Sequence, residues 1–329
     1  MTKTSRLMLA VLAVCGASAA MAQSSVNLYG RVNTTVENTK FGSDSSVTAL
    51  RSNSSFLGFR GQEDLGGGLK AGFQLEGSFG SDDGSGPFNF TRHSELNLSG
   101  GFGALRLGTF NAASYLATAD YISMHNHDTG LSADALYVYG MRETNKIAYV
   151  TPDMGGLTAE VQHSFHEQTT GGKNAWDAAL NYSAGAFGFG LGYSNSPTDF
   201  YALSTDKAQQ MAARLSFSAG DLVLGAYYQY AKFEDVNLTT SDVKRQAARL
   251  AAMYTLGSSE LHANIGRADK LKVNGSKIDG TAATQWTLGY NYNLSKRTKA
   301  YGYYTKINDG SEQFYGDLRS IAIGVRHLF

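Results

Sequence analysis

The feature that most restricts this chain is a period of two. From residue 26 onward apolar and polar side chains alternate in pieces of about ten residues, separated by short Gly- or Asp-rich breaks. Such alternation sends successive side chains to opposite faces of a strand. Val26, Leu28 and Val32 share one face of the first piece, and Asn27, Tyr29, Arg31 and Asn33 share the other. No stretch reaches about eighteen consecutive apolar residues, so a helical membrane span is excluded, whereas a barrel of strands remains open. Soluble sandwiches turn apolar residues toward a dry core. Here one face is apolar and the other carries charge.

Counting these pieces predicts strands at 26–37, 54–62, 69–79, 89–99, 103–110, 142–151 and 157–167, and nine more between 175 and 329. That makes sixteen, an even number, as bacterial single-chain barrels require. The breaks alternate in length. Ala184-Gly185, Gly220-Asp221 and Gly257-Ser258 read as periplasmic turns, and 195–208, 234–245, 269–282 and 308–317 as external loops. Tyr227, Tyr228, Tyr290, Tyr292, Tyr301, Tyr303 and Phe314 are expected in interfacial girdles. The three prolines fall between alternating segments, where a sheet tolerates them.

Residues 111–140 break the pattern. A loop of about thirty residues in a hairpin array is too long for a simple connection. Tyr115, Leu116, Tyr121, Ile122, Met124, Leu131, Leu136, Tyr137 and Tyr139 also make it too apolar to lie free in water. It is expected to fold into the lumen, pack on the inner wall and narrow a pore whose selectivity is set where it faces wall arginines.

Lys3 and Arg6, the apolar run Leu7–Val14 and the Ala20-Met21-Ala22 site read as a secretory signal peptide cleaved after Ala22. The expected organisation is therefore a leader at 1–22 and a transmembrane β-barrel domain at 23–329. Cys15 is the only cysteine, and Val14 before it disfavours a lipid-attachment reading. Without the first 22 residues the 28 basic side chains fall to 26 against 28 acidic, a formal charge of −2, which argues against a nucleic-acid partner. His125, His127 and Asp128 form a cluster with no identifiable supporting partner, so a polar loop tip is expected, with no metal and no cofactor. No catalytic site is expected either. His93 and Ser94 are strand neighbours on opposite faces.

Several stretches together resemble the trimeric general porins of Gram-negative outer membranes, in the branch found in β-proteobacteria. They are VNLYGRV at 26, LGFRGQEDLGGGLKAGFQLEG at 57, FNFTRHSELNLSGGFGALRLG at 88, RETNKIAYVTPDMGGL at 142, LSKRTKAYGYY at 294 and IGVRHLF ending at Phe329. The resemblance implies a sixteen-stranded, all-β barrel whose third external loop, residues 111–140, bends into the pore. It implies a homotrimer among the lipid and lipopolysaccharide of the outer membrane. It also implies a terminal Phe329 read as an assembly signal by the barrel-assembly machinery. The function implied is a water-filled diffusion channel for small hydrophilic solutes and ions, with a modest anion preference. The alternative is a substrate-specific channel for a sugar or organic acid, with Tyr29, Phe56 and loop tyrosines beginning an aromatic track.

The family lines its constriction with wall arginines opposite acidic groups. Arg92 and Arg142 match two of these arginines, while Phe56 stands where a third is usual. Arg31 and Arg60, on inward parity, are the candidates to restore that charge. Asp120 on the loop and Glu76 on the wall are the matching acids. Arg92 shares parity with Leu96 and Leu98, so its placement in the lumen makes His93, Glu95 and Asn97 the outer set there, facing a neighbouring subunit.

Overall fold

The computed structural model describes residues 25–86, 89–120, 135–139, 143–167, 173–200, 203–236, 241–309 and 317–329. The alternating pieces form antiparallel strands in chain order. They are β1 (Ser25–Phe41), β2 (Val47–Ser52 continued by Phe56–Gly66), β3 (Leu69–Ser78), β4 (His93–Gly100), β5 (Gly103–Thr109), β6 (Lys146–Val150), β7 (Leu157–Ser164) and β8 (Ala175–Ala184). The second half comprises β9 (Phe187–Phe200), β10 (Leu203–Ala219), β11 (Leu222–Glu234), β12 (Val243–Leu256), β13 (Ser259–Ala268), β14 (Ala283–Asn293), β15 (Thr298–Asp309) and β16 (Leu318–Leu328). Each strand pairs with the next, and β16 returns to β1 from Arg31 opposite Leu328 to Phe41 opposite Leu318. The result is a closed ring of sixteen strands among the described residues. Closure leaves no open edge, which lipid requires because it cannot satisfy backbone N–H and C=O groups.

Leu28, Leu191, Met211, Leu250, Ile265, Ile321 and Ile323 are exposed on the outer face, while Asn33, Gln162, Gln229, Gln285 and Thr305 are buried on the inner one. A solvent-exposed apolar belt around a polar interior is a membrane barrel and not a soluble core. The girdle assignment divides. Tyr228, Tyr290 and Tyr292 do lie exposed outside, whereas Tyr227, Tyr301 and Tyr303 are buried within. The inner three find polar or aromatic partners there: the Tyr301 hydroxyl donates to Asn33 Oδ1 at 2.6 Å and that of Tyr303 to Glu37 Oε1 at 3.1 Å. Their odd parity on β11 and β15 carried this signal against the aromatic composition. Phe314 lies outside the described residues.

The seam closes on Phe329, whose N–H donates to the Gly30 carbonyl at 3.2 Å and whose carbonyl accepts from Gly30 at 3.2 Å. A Cβ on Gly30 would sit 2.5 Å from the Phe329 ring and 2.6 Å from the Phe56 carbonyl oxygen. Gly30→Val is therefore expected to lower the folded, heat-modifiable fraction by forcing the seam apart, at a cost of about 1 to 3 kcal/mol. Densitometry of unheated against boiled samples on gels checks it.

Candidate pore constriction

Phe110 ends the strand region before the loop, its N–H donating to the Glu143 carbonyl at 3.1 Å across the loop base. The chain then forms a helical turn, Ala113–Tyr115, that widens into a π-turn, Leu116–Asp120. This limb lies flat on the inner wall. Ala113 and Ala117 pack on Ala179 of β8, and a Cβ on Gly192 of β9 would sit 2.6 Å from the Ser114 carbonyl oxygen. Asp177 of β8 accepts from the Ser114 N–H at 2.8 Å and from its hydroxyl.

The returning limb, 135–139, is seated further round. Leu136 packs on Ala247, Ala268 and Ala283, and Val138 on Ala208, Ala231 and Phe233. Gln229 clamps the Val138 backbone, accepting from its N–H at 2.8 Å and donating to its carbonyl at 2.7 Å. Tyr139, Tyr115, Tyr137 and Tyr227 stack edge to face in sequence, with centroids 4.9, 5.7 and 5.6 Å apart. Burial pushes the Tyr137 phenol's pKa up, so it remains protonated beside Thr118, whose hydroxyl lies 3.2 Å away.

The described parts of the loop thus enter the barrel and cover the wall from β8 to β14. Sequence reading placed the loop but missed its seat. The signal is present: Gly188, Gly190, Gly192, Ala208, Ala212, Ala231, Ala247, Ala268 and Ala283 put small residues at inward positions of these strands and nowhere as densely elsewhere.

On β1 to β4, away from that seat, the inner wall gathers charge. The break in β2 at Asn53–Ser55, with Ser54 at φ 53°, turns the Ser54 carbonyl toward β1. Arg31 donates to it through Nε at 2.9 Å and a terminal nitrogen at 2.7 Å. Arg31 also lies with its guanidinium carbon 5.1 Å from the Phe56 ring centre, and Arg92 approaches the same ring to 4.9 Å. Arg92 Nε donates to Glu76 Oε1 at 2.5 Å, and Tyr29 donates to the other Glu76 oxygen at 2.9 Å. The Arg60 guanidinium lies 4.9 Å from the Tyr29 ring centre. Three guanidiniums, the Glu76 carboxylate and two aromatic platforms therefore form a single connected group among the described residues. Phe56 does more than remove an arginine, since its π-face holds two others.

Arg92 reaches the lumen by a route that alternation did not predict. The strand begins at His93 and not at 89, so Arg92 sits on the bend before it, its N–H donating to the Glu76 carbonyl at 3.1 Å. The expected outer set is reversed: His93, Glu95 and Asn97 pair with the inward residues Glu76, Gln74 and Gly72, and Leu96 is exposed outside. Glu95 is inward because Arg106 of β5 takes it in a fork, with contacts of 3.0 and 2.7 Å. The third arm of Arg106 reaches Glu160 at 2.7 Å. Asp120 ends the described first limb of the loop, while Arg142, His125 and His127 lie outside the described residues.

The Arg106 group also supports the loop's entry. Arg106 stacks 4.1 Å from the Phe110 ring centre, and Lys146 donates to the Phe110 carbonyl at 2.9 Å and to Gln162 at 2.8 Å. Arg106→Ala leaves Glu95 and Glu160 without their common cation in a mostly buried place and is expected to cost about 3 to 5 kcal/mol. Arg106→Lys recovers only part of this, because a lysine cannot form the fork. Urea unfolding midpoints of the three proteins check it.

A closed barrel with an apolar exterior, a polar interior and a loop lodged inside defines an outer-membrane pore. Comparison with known proteins narrows the class. The chain matches the family model described as Gram-negative porin over residues 9–311. It is 34% identical to outer membrane porin protein 32 of Delftia acidovorans, across 99% of this chain and 100% of that one. It is 32% identical to the major outer membrane protein P.IB of Neisseria meningitidis over 50% of this chain and 52% of that protein. Among solved structures, the anion-selective porin from Comamonas acidovorans superposes with a TM-score of 0.78 at 29% identity, covering 93% of this chain and all of that one. The trimer form of OmpT from Vibrio cholerae superposes at 0.70 with 18% identity, covering 93% and 99%, which speaks to the fold. The chain belongs to the Gram-negative porin family, and its place is the outer membrane.

Proposed function

We propose that this porin is a general diffusion channel with a modest preference for small anions. The observation that carries the reading is the cluster of Arg31, Arg60 and Arg92 around the Glu76 carboxylate, on wall the described loop limbs leave uncovered. Basic groups on a narrow, low-dielectric passage focus the field and raise the local anion concentration. Asp120 on the loop and Arg142 at its exit complete the constriction in this reading, with Asp120 opposing the arginines. The relative described as an anion-selective porin supports the sign.

The reading includes export through a leader at 1–22, assembly prompted by Phe329, and a homotrimer in contact with lipid and lipopolysaccharide. It is a conduit and not a catalyst. Trimerisation no longer rests on an outward Glu95, which faces the lumen, and draws instead on the fold shared with an outer membrane protein solved in a trimer form. Native mass measurement of detergent-extracted protein is expected to give three chains per particle, and a stable conducting monomer contradicts that. Liposome swelling with small organic anions and neutral sugars of equal size tests the channel itself. Anions are expected to enter faster but sugars to enter too. Uptake confined to one sugar or one acid indicates the substrate-specific alternative.

A further inference from the structure

An extra residue in β2 changes which way an arginine points. On β1, Arg31 and Thr34 are three positions apart in sequence, whereas their partners on β2, Phe56 and Ser52, are four apart, so β2 carries one residue more across the break at Asn53–Ser55. The break is a β-bulge, with Ser54 at φ 53°. An inserted residue reverses the alternation of side chains beyond it, which is how bulges re-aim a side chain. Arg51 and Phe56 are an odd number of residues apart and would face opposite sides of an unbroken strand. Here both face the lumen. Arg51 stands directly opposite Thr35, which is buried on the inner face, while the neighbouring pair Leu50 and Val36 is exposed outside. Arg51 is itself exposed. Without the extra residue it would be aimed into lipid.

Its height along the pore separates it from the cluster around Phe56. Thr35 lies four residues beyond Arg31 toward the Phe41 end of β1, about 13 Å at the rise of a strand. That end is the one away from the seam at Phe329, and the one at which β5 gives way to the loop. Arg31 and Arg92 are held in place, by the Ser54 carbonyl and by Glu76 respectively. Glu37, opposite Ala49 on the same inner face as Arg51, is turned to Thr35, Asn53 and Tyr303 at 2.7, 3.2 and 3.1 Å.

We propose that Arg51 is a further specificity-determining residue of the channel, an outer station that gathers anions entering from the long-loop side ahead of the Phe56 cluster. Such a role rests on the anion-preferring reading of the pore and adds a direction to it. At 0.1 M salt the screening length is about 10 Å, shorter than the distance between the two levels, so they act as separate charges in series. A charge at the approach raises the anion concentration, and hence the rate of arrival, on its own side. A charge at the constriction acts on traffic both ways. The bulge therefore serves both levels, since it turns the Ser54 carbonyl to Arg31 and Arg51 to the lumen.

The test is the single-channel current–voltage curve of the full chain in a planar bilayer. Cys15 is the only cysteine, so Arg51→Cys in a Cys15→Ser chain carries one thiol that can be modified while a channel is being recorded. A cationic methanethiosulfonate is expected to raise the current at one polarity about twofold at 0.1 M potassium chloride, and less at the other. The anionic reagent is expected to lower current at that same polarity. Both changes are expected to vanish at 1 M, where screening reaches only about 3 Å. Arg51→Lys is expected to keep the wild-type curve, Arg51→Gln to match the unmodified cysteine variant, and Glu37→Gln to act as added positive charge does. A thiol that fails to react from water, the same direction of change with both reagents, or equal change at both polarities overturns the proposal. A wild type without anion preference overturns the reading beneath it. A wild type with that preference, beside an Arg51→Gln channel of unchanged curve, overturns the outer station alone.

Discussion

Gly190→Leu is expected to give a barrel that folds and inserts but conducts less current than wild type. A Cβ at this inward position of β9 would overlap the Ala117 carbonyl oxygen on the loop and come within 2.7 Å of Arg214 Nε. The strand behind it is fixed by ladders to β8 and β10. The loop limb Leu116–Asp120 must therefore yield away from the wall, toward the pore axis. Crowding of this kind costs about 1 to 3 kcal/mol in a packed site, less than a sixteen-stranded ladder needs to unfold. The outward residues Phe189 and Leu191 are untouched, so insertion is preserved. Gly190→Ala is expected to act in the same direction but less strongly. Single-channel conductance, with heat-modifiability on gels as the folding control, checks both. An unchanged conductance in the leucine variant contradicts the seating of the loop on β9.

The second large effect is on ion preference. Arg31→Ala with Arg92→Ala removes both cations that lie on Phe56 and leaves Arg60, on the Tyr29 ring, as the third member of the arginine cluster, so the zero-current potential is expected to move toward cations. At about 10 Å in water a unit charge contributes about 0.4 kcal/mol, close to a twofold rise in the local anion concentration. Two arginines then give about fourfold, and more where the wall's low dielectric concentrates the field. The shift is expected to shrink as salt rises, because the screening length is about 10 Å at 0.1 M and about 3 Å at 1 M. Glu76→Gln is expected to move the potential the other way. The same direction for both variants would contradict an electrostatic origin.

The barrel was legible because its constraint is local. A strand facing lipid on one side and water on the other must alternate, and all sixteen strands were found by that rule. The loop was legible as an interruption of it. The rule fails where its premise does. Tyr227, Tyr301 and Tyr303 are aromatic yet inward, because a lumen partly filled by a loop, or crossed by Asn33 and Glu37, offers aromatic and polar partners inside. Arg92 does reach the lumen, and His93, Glu95 and Asn97 were misplaced only because Arg92, on the bend before β4, was counted as part of the strand. Arg31 was on the right face by parity, but nothing local announced that a break at Asn53–Ser55 would turn a carbonyl toward it. Nor did any local signal tell that Phe56 would hold two guanidiniums, which depends on register between β1 and β2 and on a turn before β4.

The central claim is that the wall arginines give an open, water-filled pore its sign of selectivity. The most direct measurement is the reversal potential of single wild-type channels in a planar bilayer under a tenfold gradient of potassium chloride at low ionic strength. The account predicts a stable open conductance and a potential whose sign corresponds to chloride passing more readily than potassium, decaying toward zero as both sides are raised to molar salt. A potential of cation-selective sign at low salt would contradict it.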